Sequence, residues 1–308
     1  MPELPEVSTT VAGLKKVLPG LTITHAWTDL SQKNPIKQFK NTLKDEAFLK
    51  KFKKYTVGAK VLTVERRAKN ILIHLSNKHT LLIHLKMTGH IIYGRYIFNK
   101  KTNTWSPAID ERVALHDPFN RFIHVVFSLS NGKQFVLCDA RKFGKVTLIS
   151  PDEHDTSIHL RGLGPEPLDA DFSYKKFSEA LIKKPLGNIK TVLMNQMIIA
   201  GIGNIYSDEM LWLADIHPES KPTHIPALLL KNLFTSMKKV LTKGIDFGGD
   251  SMSDYRDIDG NKGSFQNHHN VYRKTGATCS KRQCRGVILR KVINGRSAHY
   301  CNIHQKLF

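Results

Sequence analysis

The chain opens MPELPEV, and three of those residues could do chemistry together. Removal of Met1 would leave Pro2 with a free secondary amine. A terminal amine has an ordinary pKa of about 8, roughly two units below that of a lysine, so a useful fraction is uncharged and nucleophilic at neutral pH. Glu3 and Glu6 stand beside it, one able to act as general acid or base and the other to tune it. The same residues are also ordinary helix-start grammar, with proline in the first turn and acids at the positive end of the helix dipole. A second set lies at the other end of the chain. Cys279, Cys284, Cys301 and His304 have the spacing C-x4-C-x16-C-x2-H. Three of the chain's four cysteines crowd into this tail, which is unlike a secreted disulfide framework. Tetrahedral zinc accepts three thiolates and one imidazole, so one structural Zn2+ is expected, with His299 as an outside candidate ligand. Cys138, within a strand pattern, reads as a small buried apolar residue.

A third signal is GIGNIY at 201–206. Two glycines permit a tight turn, Asn204 is expected to cap the helix that follows, and that helix's first amides and dipole would face an anion.

The elements that must position these residues follow from periodicity. Val7, Val11, Leu14 and Leu18 have helical spacing, so an amphipathic helix is expected over 5–18. From about 21 to 150 short β-branched runs alternate with turn signals: VLTVE, NILIHL, TLLIHL, FIHVVFSL and KQFVLCD. SLSNGKQFVL predicts a hairpin with Asn131–Gly132 in its turn. Residues 97–118 read as a polar surface insertion. The linker is placed at 151–168, where proline, glycine and acid gather. Helices are expected over 172–181, 189–199, 205–213 and 226–241, and the glycine-rich stretch 246–266 reads as a mobile loop. The expected fold is α+β: an N-terminal antiparallel β-sandwich with an N-terminal helix (1–150), a helical domain (169–268) and a compact tail holding the cysteine cluster (269–308).

Composition narrows the partner. Lys plus Arg number 47 against 26 Asp plus Glu, a net charge of +21. Such an excess, spread along the chain, points to a polyanion, because each neutralised phosphate releases condensed counterions. No stretch approaches the roughly 18 uninterrupted apolar residues of a membrane span, and the acidic N-terminus lacks a basic-then-apolar leader pattern. A cytoplasmic monomer with no membrane partner is the expectation.

MPELPEV, ERRAKNILIHL (65–75), HLKMTG (84–89), DARKFGK (139–145), AGIGNIYSDEMLW (200–212) and the cysteine tail resemble, in order and along essentially the whole chain, the formamidopyrimidine-DNA glycosylase and endonuclease VIII family. The resemblance implies a helix–two-turn–helix domain followed by a β-hairpin zinc finger, and a partner that is double-stranded DNA carrying oxidised bases or abasic sites. It implies a bifunctional glycosylase and abasic-site lyase of base excision repair, with Pro2 as nucleophile. The alternatives are an endonuclease VIII-like enzyme for oxidised pyrimidines and a catalytically silent damaged-DNA-binding protein. By the same resemblance Lys69 and His84 would meet backbone beside the lesion. Met87, Arg141 and Phe143 would fill the hole left by an extruded nucleotide. Asn204 and Arg296 would grip phosphate, Glu209 would buttress the turn and the surroundings of Pro2, and the 246–266 loop would fold over an 8-oxopurine, its glycines 248, 249 and 263 allowing close approach. Lys86 stands where the family usually has glycine. The family usually closes its zinc site with four cysteines, the first two separated by two residues; both the wider first gap and His304 depart from that.

Overall fold

In the computed structural model, residues 1–153 and 157–308 are described. They fall into two compact units: Met1–Arg161 with Gly248–Ser264, and Gly162–Phe247 with Phe265–Phe308. Residues 154–156 of the expected linker lie outside the described residues, and Pro151–Glu153 before them forms a 3₁₀ turn.

The first unit begins with α1 (Leu4–Val17), which buries Leu4, Val7, Val11 and Leu14, one stripe at three- and four-residue intervals. It packs on β2 and β3 of the strands that follow. These are β1 (Ile23–Thr28), β2 (Val61–Arg67), β3 (Asn70–Leu75), β4 (Thr80–His84), β5 (His90–Gly94), β6 (Tyr96–Asn99), β7 (Thr104–Pro107), β8 (Ile123–Leu129), β9 (Gln134–Cys138) and β10 (Lys145–Ile149). Two four-stranded antiparallel sheets result, in the orders β1-β8-β9-β5 and β10-β4-β3-β2. Val64, Ile71, Ile73, Leu81, Ile83, Phe127, Phe135 and Leu137 fill the core with α1's stripe. The β8–β9 turn forms where Asn131–Gly132 predicts it. Gly132 takes φ +79°, and its N–H donates to Leu129 O, the three-residue geometry of a type I turn with a glycine bulge.

Two regions differ from the sequence reading. A helix, α2 (Glu46–Thr56), stands inside the stretch read as strands; Asp45 caps it by accepting the Ala47 N–H at 3.1 Å. The 97–118 insertion is structured: β6 and β7 pair, and Trp105 and Leu115 cover the outer face of the first sheet over Ile92, Val126, Val136 and Cys138. Cys138 is fully buried there, as expected.

The second unit holds α3 (Tyr174–Ile182), α4 (Ile189–Met194), α5 (Asn204–Leu213), α6 (Ala227–Asp246) and the hairpin of β11 (Ile288–Ile293) and β12 (Arg296–Cys301). The turn between α4 and α5 is tied by one side chain. Gln196 Nε2 donates to Met194 O and Ile202 O, and its Oε1 accepts the Gly201 N–H. Among the described residues no helix is long and apolar enough to cross a membrane.

Candidate nucleic-acid site and metal cluster

At the start of α1, Glu3 and Glu6 form a reciprocal capping box. Glu6 Oε2 accepts the Glu3 N–H at 2.7 Å, and Oε1 accepts the Asp250 N–H at 2.7 Å. Pro2, Glu3 and Glu6 are all buried. The helix-start role of these acids is thus realised, and it leaves two buried carboxylates beside Pro2. Gly249 is held close to them: a Cβ there would stand 2.8 Å from Glu6 Cγ. At Gly263 a Cβ would meet Gly249 O at 2.3 Å. These glycines therefore pack the loop on itself and on α1, where the sequence reading had them allowing approach to a base.

Lys69, His84 and Lys145 meet on one sheet. Lys69 is the second residue of the tight turn between β2 and β3, in which Ala68 takes φ +54° and Arg66 Nη1 donates to Ala68 O at 2.9 Å. Next to it Asn70 is paired in register with His84, and His84 with Lys145. Burial pushes the His84 imidazole down, and the cations Lys86, Lys69 and Lys145 push further, to a pKa of about 3. Its Nδ1 accepts the Lys86 N–H at 3.0 Å, so the neutral ring carries its proton on Nε2, poised to donate.

Met87, Arg141 and Phe143 come from two loops that one acid joins. Asp139, buried, accepts from Thr88 Oγ1 through Oδ1. It also receives the Arg141 N–H at 3.3 Å and the Gly144 N–H at 2.6 Å. The Arg141 guanidinium lies over the Phe143 ring, 4.7 Å from its centroid. Met87 and Phe143 are 39% and 43% exposed, a high fraction for large apolar side chains that touch one cavity. Met1, Lys86 and Lys145 line the same cavity. Asp139 and Thr88 were missed in the sequence; an Asp two residues before Arg141 is an Asx-turn signal that could have found the first.

In the second unit, Asn204 is not the cap of α5 but its first residue, with Gly203 at the capping position. Its buried Oδ1 has no hydrogen-bond partner among the described residues. It faces a pocket that Tyr272, Arg273, Arg290, Arg296 and His299 also line. The N-terminus of α5 and several guanidinium groups there present donors and positive charge suited to an anion. Glu209 is elsewhere: buried, it accepts the backbone N–H groups of Asn270, Val271 and Tyr272 at 2.8–3.1 Å. It thus buttresses the segment entering the tail, and not the 201–204 turn.

Cys279, Cys284, Cys301 and His304 bring their donor atoms within 4.8 Å of one another. The His304 Nδ1 lies 3.3 Å from Cys279 Sγ and 3.6 Å from Cys284 Sγ, and Cys284 and Cys301 sulfurs are 3.6 Å apart. Tetrahedral zinc, with bonds of about 2.3 Å to sulfur and 2.0 Å to nitrogen, would space such ligands roughly 3.5–3.8 Å apart. The donors fit. The Gly286 N–H points at Cys284 Sγ, and His304 Nε2 is held by Trp212 O at 3.2 Å, which leaves Nδ1 for a metal. His299 is no ligand here: its Nδ1 and N–H both bond Asp208 Oδ2 at 3.0 Å, and Lys190 Nζ pairs with the same carboxylate from beneath.

Comparison with known proteins identifies the family. Residues 1–146 match the formamidopyrimidine-DNA glycosylase N-terminal domain and residues 163–256 its H2TH domain. A formamidopyrimidine-DNA glycosylase of Pelotomaculum thermopropionicum is 35% identical over the whole of both chains. That of Heliobacterium modesticaldum is 36% identical over 99% of this chain and all of its own. Among solved structures, the Lactococcus lactis Fpg bound to abasic-site DNA matches with a TM-score of 0.80 at 30% identity, covering 99% of each chain. Its complex with DNA containing N7-benzyl-Fapy-dG matches equally, with a TM-score of 0.80 at 30% identity over 99% of this chain and all of that one. The chain belongs to the formamidopyrimidine-DNA glycosylase family.

Proposed function

We propose that this DNA glycosylase of base excision repair removes oxidised purines, 8-oxoguanine and formamidopyrimidines, and then cuts the resulting abasic site. The observation that carries the reading is one cavity shared by Met1, the exposed apolar pair Met87 and Phe143, and two lysines, with two buried carboxylates next to Pro2. An extruded nucleotide leaves a gap that Met87 fills, while Phe143 wedges the opposite strand and Arg141 pairs with the orphaned base.

Once Met1 is removed, the Pro2 nitrogen lone pair attacks C1′. The C1′–N bond breaks and its electrons leave with the base, which takes up a proton. Glu3 supplies a proton to the sugar or the leaving group, and Glu6 holds the Glu3 backbone in place. Ring opening gives an iminium between Pro2 and the sugar. Loss of a C2′ proton then expels the 3′ phosphate, and a further elimination expels the 5′ phosphate. Lys69 and the Nε2–H of His84 hold phosphates beside the lesion, and Asn204 and Arg296 hold others. One Zn2+ on Cys279, Cys284, Cys301 and His304 is structural: it fixes the hairpin that carries Arg296. The partner is double-stranded DNA, met by a monomer in the cytoplasm.

Borohydride should trap the protein on duplexes carrying 8-oxoguanine or an abasic site. Pro2→Gly should cripple trapping, and Glu3→Gln should slow base excision more than cleavage of a preformed abasic site. Undiminished trapping by a Pro2 variant with a blocked N-terminus would reject the mechanism, and a protein that binds abasic DNA without being trapped would be a silent damage sensor.

A further inference from the structure

The stretch 246–266 reads in the sequence as a mobile loop, yet its residues 248–264 belong to the first unit and are tied to it along their length. Its first residues lie on Glu6. The Tyr255 hydroxyl donates to Glu6 O at 3.0 Å, and Ile258 joins the main core, with its backbone O receiving the Tyr93 N–H at 2.8 Å. The last tie is the least expected. Arg256 is fully buried, and its guanidinium forks onto both oxygens of Asp117, with Nη2 3.2 and 3.1 Å from Oδ1 and Oδ2. The same group stacks over the Phe119 ring at 4.8 Å and donates to Ser253 O and Tyr255 O. Arg112 binds Asp259 and Tyr93 O, and Gly260 lies so close to Ala114 that a Cβ would sit 2.6 Å from its carbonyl. The groups facing Arg256, Asp259 and Gly260 thus belong to residues 112–119, the end of the insertion and the turn after it.

We propose that Asp117, with Arg256, latches the 248–264 loop to the insertion and so positions Ser251–Asp254 for recognition of 8-oxopurines. The inference rests on the proposed function, because it takes the base to lie beside Pro2 and Glu6, where the loop begins. An 8-oxopurine differs from guanine by one exocyclic oxygen and one N–H, so recognising it needs backbone groups already in place. A loop ordered in advance loses no conformational entropy when it covers the base. A ring-opened formamidopyrimidine differs from guanine far more, and an abasic site has no base to cover; neither depends on that precision. Asp117 and Arg256 touch no substrate, which makes them positioning residues.

Asp117→Asn removes one charge and keeps the shape. Breaking the pair strands the buried Arg256, so the double variant Asp117→Asn/Arg256→Met serves as a fold control with no stranded charge. In both variants, amide hydrogen exchange over 250–261 should quicken by about tenfold or more. Single-turnover excision of 8-oxoguanine should fall about tenfold, while formamidopyrimidine excision and abasic-site cleavage stay within roughly twofold. Unchanged exchange would overturn the latch. Faster exchange with an equal loss on all three substrates would overturn its role in specificity. If the unsubstituted protein neither excised nor was trapped, the functional reading would fail while exchange still decided the latch.

Discussion

At Lys86 the backbone enters the left-handed region, with φ +56°, where a side chain costs on the order of 1 kcal/mol that glycine does not incur. This is the position at which the family usually has glycine, so the departure has a physical reading: this chain accepts strain and gains a cation. That cation lies in the cavity of Met87 and Phe143 and helps hold His84 neutral. Lys86→Gly should therefore raise unfolding stability by up to about 1 kcal/mol, measured in denaturant. The same change should flatten the salt dependence of DNA binding by about one charge. A salt slope identical to that of the unsubstituted protein would show that Lys86 meets no phosphate. The residue types of the candidate site were legible because chemistry restricts them: a terminal amine with acids, three thiols with an imidazole. Asp139 and Arg256 were not legible, because each acts through a fold-dependent contact; Arg256 and Asp117 are 139 positions apart in the chain.

Elements were legible where one face is apolar over several turns or strands. The stripe of α1 gave itself away by its period, and β3, β4, β8 and β9 by nearly continuous apolar runs, since those strands are buried at almost every position. Helix α2 did not: its four lysines hide a short apolar face of Phe48, Leu49 and Phe52 inside a stretch of strand-like texture. The insertion was misread for a related reason, since Trp105 and Leu115 are isolated in polar sequence and find their partners only on the sheet. The tail hairpin depends on two separate supports. Beneath β12 lies the buried Lys190–Asp208–His299 network, and at its end lie the four metal donors, two of them inside a small apolar cluster with Trp212 and Val271. A hairpin of two strands is marginal alone, so losing the proposed zinc should undo it locally while the network keeps α5 in place. His304→Ala should then abolish bound zinc by metal analysis, expose the tail to protease, and weaken DNA binding without lowering the main unfolding transition by more than about 1 kcal/mol. A His304→Ala protein retaining one zinc per chain would show that another residue completes the set.

For the molecule as a whole, a net charge of +21 means that cations outnumber the acids able to pair with them, and histidines placed among those cations cannot take up another proton. Two show it. His84 is held to a pKa of about 3, first by burial and then by Lys86, Lys69 and Lys145. His159 is held to about 4, first by burial and then by Lys145, whose Nζ lies 2.9 Å from its Nδ1. In the unfolded chain both return to the ordinary value of 6.5. Below that pH the unfolded state binds protons that the folded state refuses, so stability falls as pH falls from 6.5 towards the folded values. Above 6.5 both states hold neutral rings, and these histidines contribute no slope. Between pH 6.5 and 5, before most carboxylates titrate, each should steepen the loss by at most about 1.4 kcal/mol per pH unit. Denaturant unfolding across that interval should give a clear slope for the natural sequence and a shallower one for His84→Gln and for His159→Gln, with the double variant shallower still. DNA binding through the Nε2–H proposed for His84 should show no step at the ring's ordinary pKa, because the ring stays neutral through that range. Equal slopes in all four proteins would mean that the lysine cluster does not hold these rings neutral.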